Sequence, residues 1–156
     1  MDNDVTRKAA SNGHTEVVKL LLADVRVDPT TRENDAIQKA ASNGHAEVVE
    51  LLLADVRVDA TDAIRKAAEN GHAEVVKLLL AWRGPNGEQV NPTAVDNAAI
   101  RNAAKNGHTE VVKLLIEDGR VDPATMDKAL ANLVIKMAAS IGHAQVVRLL
   151  NTNVDE

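Results

Sequence analysis

Residues Ala40 to Leu53 read Ala-Ala-Ser-Asn-Gly-His-Ala-Glu-Val-Val-Glu-Leu-Leu-Leu. The stretch breaks in its middle. Ala36, Ile37, Ala40 and Ala41 form one apolar side of a first helix. Gly44 ends that helix, because glycine reaches the left-handed C′ conformation cheaply. His45 and Ala46 open a second helix, and Glu47 complements its positive end. Val48, Val49, Leu51, Leu52 and Leu53 give this second helix a broad buried stripe. Asn34 or Asp35 is expected to cap the first helix, with Gln38 completing a capping box.

The same string returns along the chain. Asn-Gly-His stands at Asn12–His14, Asn43–His45, Asn70–His72 and Asn106–His108, and a fifth version reads Ile141-Gly142-His143. Each is preceded by Ala-Ala and followed by Val-Val and Leu-Leu. The histidines are 31, 27, 36 and 35 residues apart. A period of this size marks stacked supersecondary units. Asn-Gly between apolar runs is also a hairpin signal. Flanks rich in Ala, Leu, Glu and Lys favour helix instead. Asn86-Gly87 is different: it follows Gly84-Pro85 in the stretch Trp82–Val90 and is expected to be a real turn.

A third element recurs after each second helix: Val27-Asp28-Pro29, Val58-Asp59-Ala60, Val90-Asn91-Pro92, Val121-Asp122-Pro123 and Val154-Asp155. It predicts a short extended segment and a turn between units. The connection from unit two to unit three is about four residues shorter than the first, so its turn is expected to be truncated. The connection from unit three to unit four is longer by Trp82–Val90.

These motifs resemble the ankyrin repeat. The resemblance covers residues 2–156 as five units, about 2–32, 33–61, 62–95, 96–126 and 127–156, in a single domain 1–156. It implies an all-α, ankyrin-type solenoid of stacked antiparallel helix pairs with short inter-repeat turns. The family's Thr-Pro-Leu-His is replaced by Asp35-Ala36-Ile37-Gln38, Asp62-Ala63-Ile64-Arg65 and Ala98-Ala99-Ile100-Arg101. The hydrogen bonds of that histidine must then be met by Gln or Arg. The resemblance also implies a non-catalytic scaffold that binds another protein on its concave face. A structural or engineered repeat protein without a natural ligand is the alternative.

Composition agrees. The 156 residues carry 18 Lys+Arg against 23 Asp+Glu, a net charge of −5, with one Trp, no Phe, no Tyr and no Cys. The absence of Cys excludes disulfides, thiolate zinc sites and cysteine nucleophiles. The charge and the missing aromatics disfavour nucleic acid. No apolar run approaches the roughly 20 residues that span a bilayer, and no secretory signal is apparent. A cytoplasmic protein that does not engage membranes is the expectation.

No cofactor or metal site is expected. The histidines share one slot in successive units. Packed helices lie about 8–10 Å apart, too far for imidazoles to share one zinc at about 2 Å. His14-Thr15-Glu16 and its copies mimic the His-x-Glu of zinc deaminases, but the Pro-Cys-x-x-Cys half is missing. Ser11, Ser42 and Ser140 recur as a helix end, whereas a nucleophile needs one singular site. Catalysis is not expected.

Carried over by position, the binding face is expected to include Arg32 and Glu33 on a turn, and Ser42, Glu69 and Lys105 at first-helix ends. Met126 falls on the last turn. Trp82 is either a binding anchor or a cover for the Val-Leu edge of unit three, the preferred reading. Thr6 replaces the isoleucine of other units and suggests a polar end cap. Unit five, with Leu133, Val134, Ile135, Met137 and Ile141, is more apolar than an end cap should be. Contact through it with a partner, a second copy or further repeats competes with simple tightening of the last interface.

Overall fold

The computed structural model describes residues 3–121, 126–140 and 142. Helices are named in chain order: α1 Asp4–Ser11, α2 Thr15–Leu22, α3 Thr31–Ser42, α4 Ala46–Leu53, α5 Thr61–Glu69, α6 Ala73–Ala81, α7 Ala94–Lys105, α8 Thr109–Glu117 and α9 Lys128–Ser140. No strand occurs among the described residues. Odd-numbered helices pack on one another as one layer, from α1 to α9. Even-numbered helices form a second layer, and each pair packs on itself.

The core lies between the layers. Ile37, Leu52, Ile64, Leu79, Ile100 and Leu115 are its largest fully buried side chains. The alanines of the odd helices, such as Ala40, Ala67 and Ala103, are fully covered and let neighbouring backbones approach closely. Burying a leucine or isoleucine contributes about 1.5–3 kcal/mol, so the chain needs no large aromatic core.

Helices α1, α3, α5 and α7 end in the same way. His45 N donates to Ala40 O at 2.9 Å and Gly44 N donates to Ala41 O at 3.3 Å, the two bonds of a Schellman motif. Gly44 has φ +79°. The pattern repeats at His14, His72 and His108.

The connections share a second device. The carboxylate of Asp28 accepts from Thr30 N at 2.9 Å and Thr30 Oγ1 at 2.7 Å. Asp59 and Thr61 do the same, as do Asn91 and Thr93. These Asx-turns redirect the chain while Val27, Val58 and Val90 tuck into the core.

Three expectations need correction. Asn34 and Asp35 do not cap α3. Asn34 Oδ1 instead accepts from Asp59 N at 3.0 Å, joining the start of its unit to the connection that leaves it, and Asn3 does the same with Asp28 N. Gln38 forms no capping box, because Glu33 O needs a donor and Gln38 Nε2 supplies it at 2.7 Å. Thr6 is not a solvent-facing cap residue. It is 2% exposed, because its helix position faces the next unit.

Candidate functional site

Two edges of the stack gather the polar side chains. On the first, Asn-Gly-His reaches back to the preceding unit. His45 Nε2 lies 3.0 Å from Ser11 O, His72 Nε2 2.8 Å from Ser42 O, and His108 Nε2 3.0 Å from Glu69 O. A carbonyl only accepts, so each Nε2 carries the proton. The asparagines add to the stitch: Asn43 Nδ2 donates to Ser11 O at 2.8 Å and Asn106 Nδ2 to Glu69 O at 2.9 Å. The next unit's imidazole lies over the preceding glycine. A Cβ on Gly44 would sit 2.6 Å from His72 Nδ1. Ser42 and Glu69 of the expected binding set therefore lie within this stitch, both half-buried. Among the described residues, no group of three or more His, Asp and Glu is placed to hold a metal ion.

The second edge is irregular. From Val27 to Ile37 and from Val90 to Ile100 the chain runs ten residues, but from Val58 to Ile64 only six. Three residues of each longer connection coil the wrong way. Arg32, Glu33 and Asn34 have φ of +53°, +58° and +64°, and Val95, Asp96 and Asn97 have +55°, +53° and +57°. Left-handed backbone costs roughly 1–2 kcal/mol per L-residue. Several bonds oppose that strain. Asn34 N donates to Thr30 O and Asn97 N to Thr93 O, both at 3.0 Å. Arg101 Nη1 donates to Asp96 O at 3.1 Å, just as Gln38 serves Glu33 O. Gln38 and Arg101 thus bond carbonyls of their own coils from equivalent positions. In the short connection, α5 starts directly after Ala60, and Arg65 pairs with Asp62 at 3.1 Å instead.

Arg32, Glu33, Val95 and Asp96 are exposed on the two coils. Lys105 is exposed at the end of α7. Met126 and Leu133 are half-buried against the core. Val134 and Met137 of α9 are buried, and Ile135 is half-buried. Ile141 lies outside the described residues.

The insertion after α6 folds as a tight hairpin. Gly87 N donates to Gly84 O at 3.0 Å, closing a turn over Pro85 and Asn86, and Gly84 N donates to Glu88 O at 2.9 Å. Gly87, with φ +83°, supplies the left-handed residue that follows such a turn. The Glu88 carboxylate is held by its own backbone amide and then by Asn86 Nδ2 and N, which lowers the Glu88 pKa. Arg120 Nη1 reaches Val90 O at 3.0 Å and its Nη2 reaches Leu80 O at 3.0 Å, tying the hairpin to unit four.

Trp82 packs against the core and is half-buried. Its remaining surface lines a cleft of about 280 Å³, between the short connection and the hairpin. Val56, Pro85 and Val90 extend the apolar wall, and Arg57, Asp59 and Glu88 rim it. Val56 is 74% exposed. The sequence flagged Trp82 and the unequal connections, but not Val56, which reads as one of many valines.

The family model for ankyrin repeats, a unit of three copies, matches residues 6–94 and again 64–155. The chain belongs to the ankyrin-repeat family. Ankyrin repeats generally mediate protein–protein interaction and are generally not enzymes. The comparison with curated proteins finds no match. No helix among the described residues is long and apolar enough to cross a membrane.

Proposed function

We propose that this ankyrin-repeat chain is a non-catalytic scaffold that holds another protein on its concave face, along the edge built by its inter-unit connections. We take it as one domain of five units with the boundaries given above. The observation that carries the reading is the cleft at Trp82. It is the place where a half-exposed indole, a nearly bare valine and a charged rim converge. Interface anchors are aromatic and seat in such partly dry pockets. Arg32 and Glu33, on the first coil, supply a charged rim for register. Met126 continues the connection edge, whereas Ser42, Glu69 and Lys105 close α3, α5 and α7 at the opposite, Asn-Gly-His edge and stand apart from the cleft.

The test is capture from cell lysate with immobilised chain, comparing native protein with Val56→Glu, Trp82→Ala and Arg32→Ala/Glu33→Ala. Val56 supports nothing in the core, so its variant keeps the helical circular dichroism. The expected result is specific retention that falls at least about tenfold for Val56→Glu and Trp82→Ala, the size of one lost anchor, and less for the coil variant. Retention indifferent to all three variants would overturn the reading.

A further inference from the structure

The cleft at Trp82 carries an imbalance of charge. Its apolar wall joins Val56, Trp82 and Pro85, and its charged groups are Arg57, Asp59 and Glu88. Arg57 is already answered. It forms a bidentate pair with Asp55, with Nε 2.9 Å from Oδ1 and Nη2 2.6 Å from Oδ2, and its Nη1 lies 3.8 Å from Asp28 Oδ1. Asp59 and Glu88 are both exposed, and among the described residues neither has an ion-pair partner. Arg83, next to Trp82 in the chain, directs its Nη1 to Leu80 O and Trp82 O.

The charge on Asp59 is not needed to build its turn. Asn91 accepts the same two bonds from Thr93 that Asp59 accepts from Thr61. Glu88 is held in place without being neutralised. Its own backbone amide and Asn86 keep the carboxyl below its usual range, so it is charged at neutral pH. The two carboxylates stand on the two sides of the cleft, Asp59 on the short connection and Glu88 on the hairpin. Glu88 also lies close to the indole: a Cβ on Gly84 would meet Glu88 Oε2 and lie 3.0 Å from Trp82 Cη2. A cleft of about 280 Å³ falls just under the roughly 300–1,000 Å³ of small-molecule pockets, which suits side chains of a protein better than a whole small molecule.

We propose that the cleft takes a basic segment of a partner protein, an arginine beside an apolar side chain; this rests on the binding edge proposed above. The apolar side chain covers Val56 and Pro85. The arginine lays its stem and planar head on Trp82, and its guanidinium meets the carboxylates of Glu88 and Asp59. Arginine fits the place better than lysine, because it stacks on an aromatic face and offers carboxylates a fork of donors. The same two carboxylates turn an acidic segment away.

Trp82 is the only tryptophan and the chain has no Tyr, so indole emission reports on the cleft directly. The probe is an acetylated, amidated Leu-Arg-Leu-Arg peptide, titrated into the full chain at low salt up to about 1 mM, the limit of weak recognition. Two further peptides carry Lys or Glu in place of Arg. The expected result is a saturable change in emission with the arginine peptide, weaker binding of the lysine peptide and none of the glutamate peptide. Glu88→Gln and Asp59→Asn should each raise the Kd about two- to fivefold, the size of an exposed ion pair. Glu16→Gln, an exposed carboxylate on α2, should leave it unchanged. Emission indifferent to the arginine peptide would overturn the proposal, and so would a lysine or glutamate peptide that binds equally well. An equal loss for Glu16→Gln would do the same, since it marks attraction to net charge alone. Capture from lysate keeps the two readings apart. Retention that falls for Trp82→Ala but not for Asp59→Asn/Glu88→Gln would leave the binding edge standing and overturn the basic occupant.

Discussion

The two edges of this stack obey different rules. Along the Asn-Gly-His edge one rule recurs: units one to four each have a glycine with positive φ and two Schellman bonds, and the imidazoles of units two to four are laid on the preceding unit. Along the connection edge no two neighbouring links agree. One carries a left-handed coil, the next is four residues shorter, and the third carries both a coil and a hairpin. Both edges hold the same helices. The difference teaches which turns carry the stacking and which are free to vary: a turn that touches the neighbouring unit through its backbone cannot change, whereas a turn that faces outward can.

The strongest way to break this contrast is to put a methyl on each edge. Gly71→Ala meets two penalties. Its φ of +77° is left-handed, and its Cβ would lie 2.5 Å from His108 Nδ1. Moving the imidazole gives up its bond to Glu69 O. We expect a loss of about 3 kcal/mol, a fall in Tm of roughly 6–12 °C. Gly87→Ala has the first penalty, and among the described residues nothing lies within 4 Å of its Cβ. It should cost only about 1 kcal/mol. Equal losses in thermal melts would mean that the stacked imidazole contributes nothing.

The histidines allow the same edge to be compared with itself. His72→Ala removes a donor from Ser42 O, and should cost about 1–2 kcal/mol in urea unfolding. His14→Ala removes a ring that, among the described residues, has no acceptor. At dilution it should change stability by less than about 0.5 kcal/mol, as surface substitutions do. A His14 loss as large as that of His72 would show that the ring acts within its own unit, not across the stitch.

Much of this was legible beforehand, and the divide follows the two edges. The Asn-Gly-His period names the helix ends, the glycines and the stacking, because a backbone conformation that needs glycine leaves a fixed letter in every unit. The truncated second connection could be counted. The coils could not be foreseen. Of their residues only Asn34, Asp96 and Asn97 belong to types that tolerate left-handed backbone, while Val95 is among the least suited to it. The capping roles of Asn34 and Gln38 were misread for the same reason: the coil places Glu33 O and Asp59 N where these side chains meet them. The cleft at Trp82 depends on Val56 and Trp82 approaching across two units, which neither local stretch records.

The coils themselves give a smaller effect of opposite sign. Val95 is 65% exposed at φ +55°. Val95→Gly relieves roughly 1–2 kcal/mol of left-handed strain but adds about 0.5–1 kcal/mol of chain freedom to the unfolded state. The net should be a gain of about 0.5–1 kcal/mol, read as a rise in Tm. Asp62→Gly, in the right-handed first turn of α5, should lower Tm, since glycine costs helix stability there. If both substitutions lower Tm, the coil is not strained.

The smallest effect concerns what the connections have in common. Asp24 and Arg26 form a bidentate pair, with Arg26 Nε 2.9 Å from Oδ1 and Nη2 2.6 Å from Oδ2. Asp55 and Arg57 repeat it. The Arg26 side chain and then its backbone amide hold the Asp24 carboxyl down to about 2, from an ordinary 3.8. A carboxyl lowered on folding stabilises the protein above its unfolded value and loses that effect as pH falls through the folded value. The window is therefore pH 4 to 2. Asp24→Asn should melt slightly below the native chain at pH 7, and the gap should close as pH falls toward 2. Arg26 is 71% exposed, so 1 M salt should narrow the same gap at pH 7. A gap unchanged between pH 7 and pH 2 would show that the pair orders the connection by its hydrogen bonds alone, independent of charge.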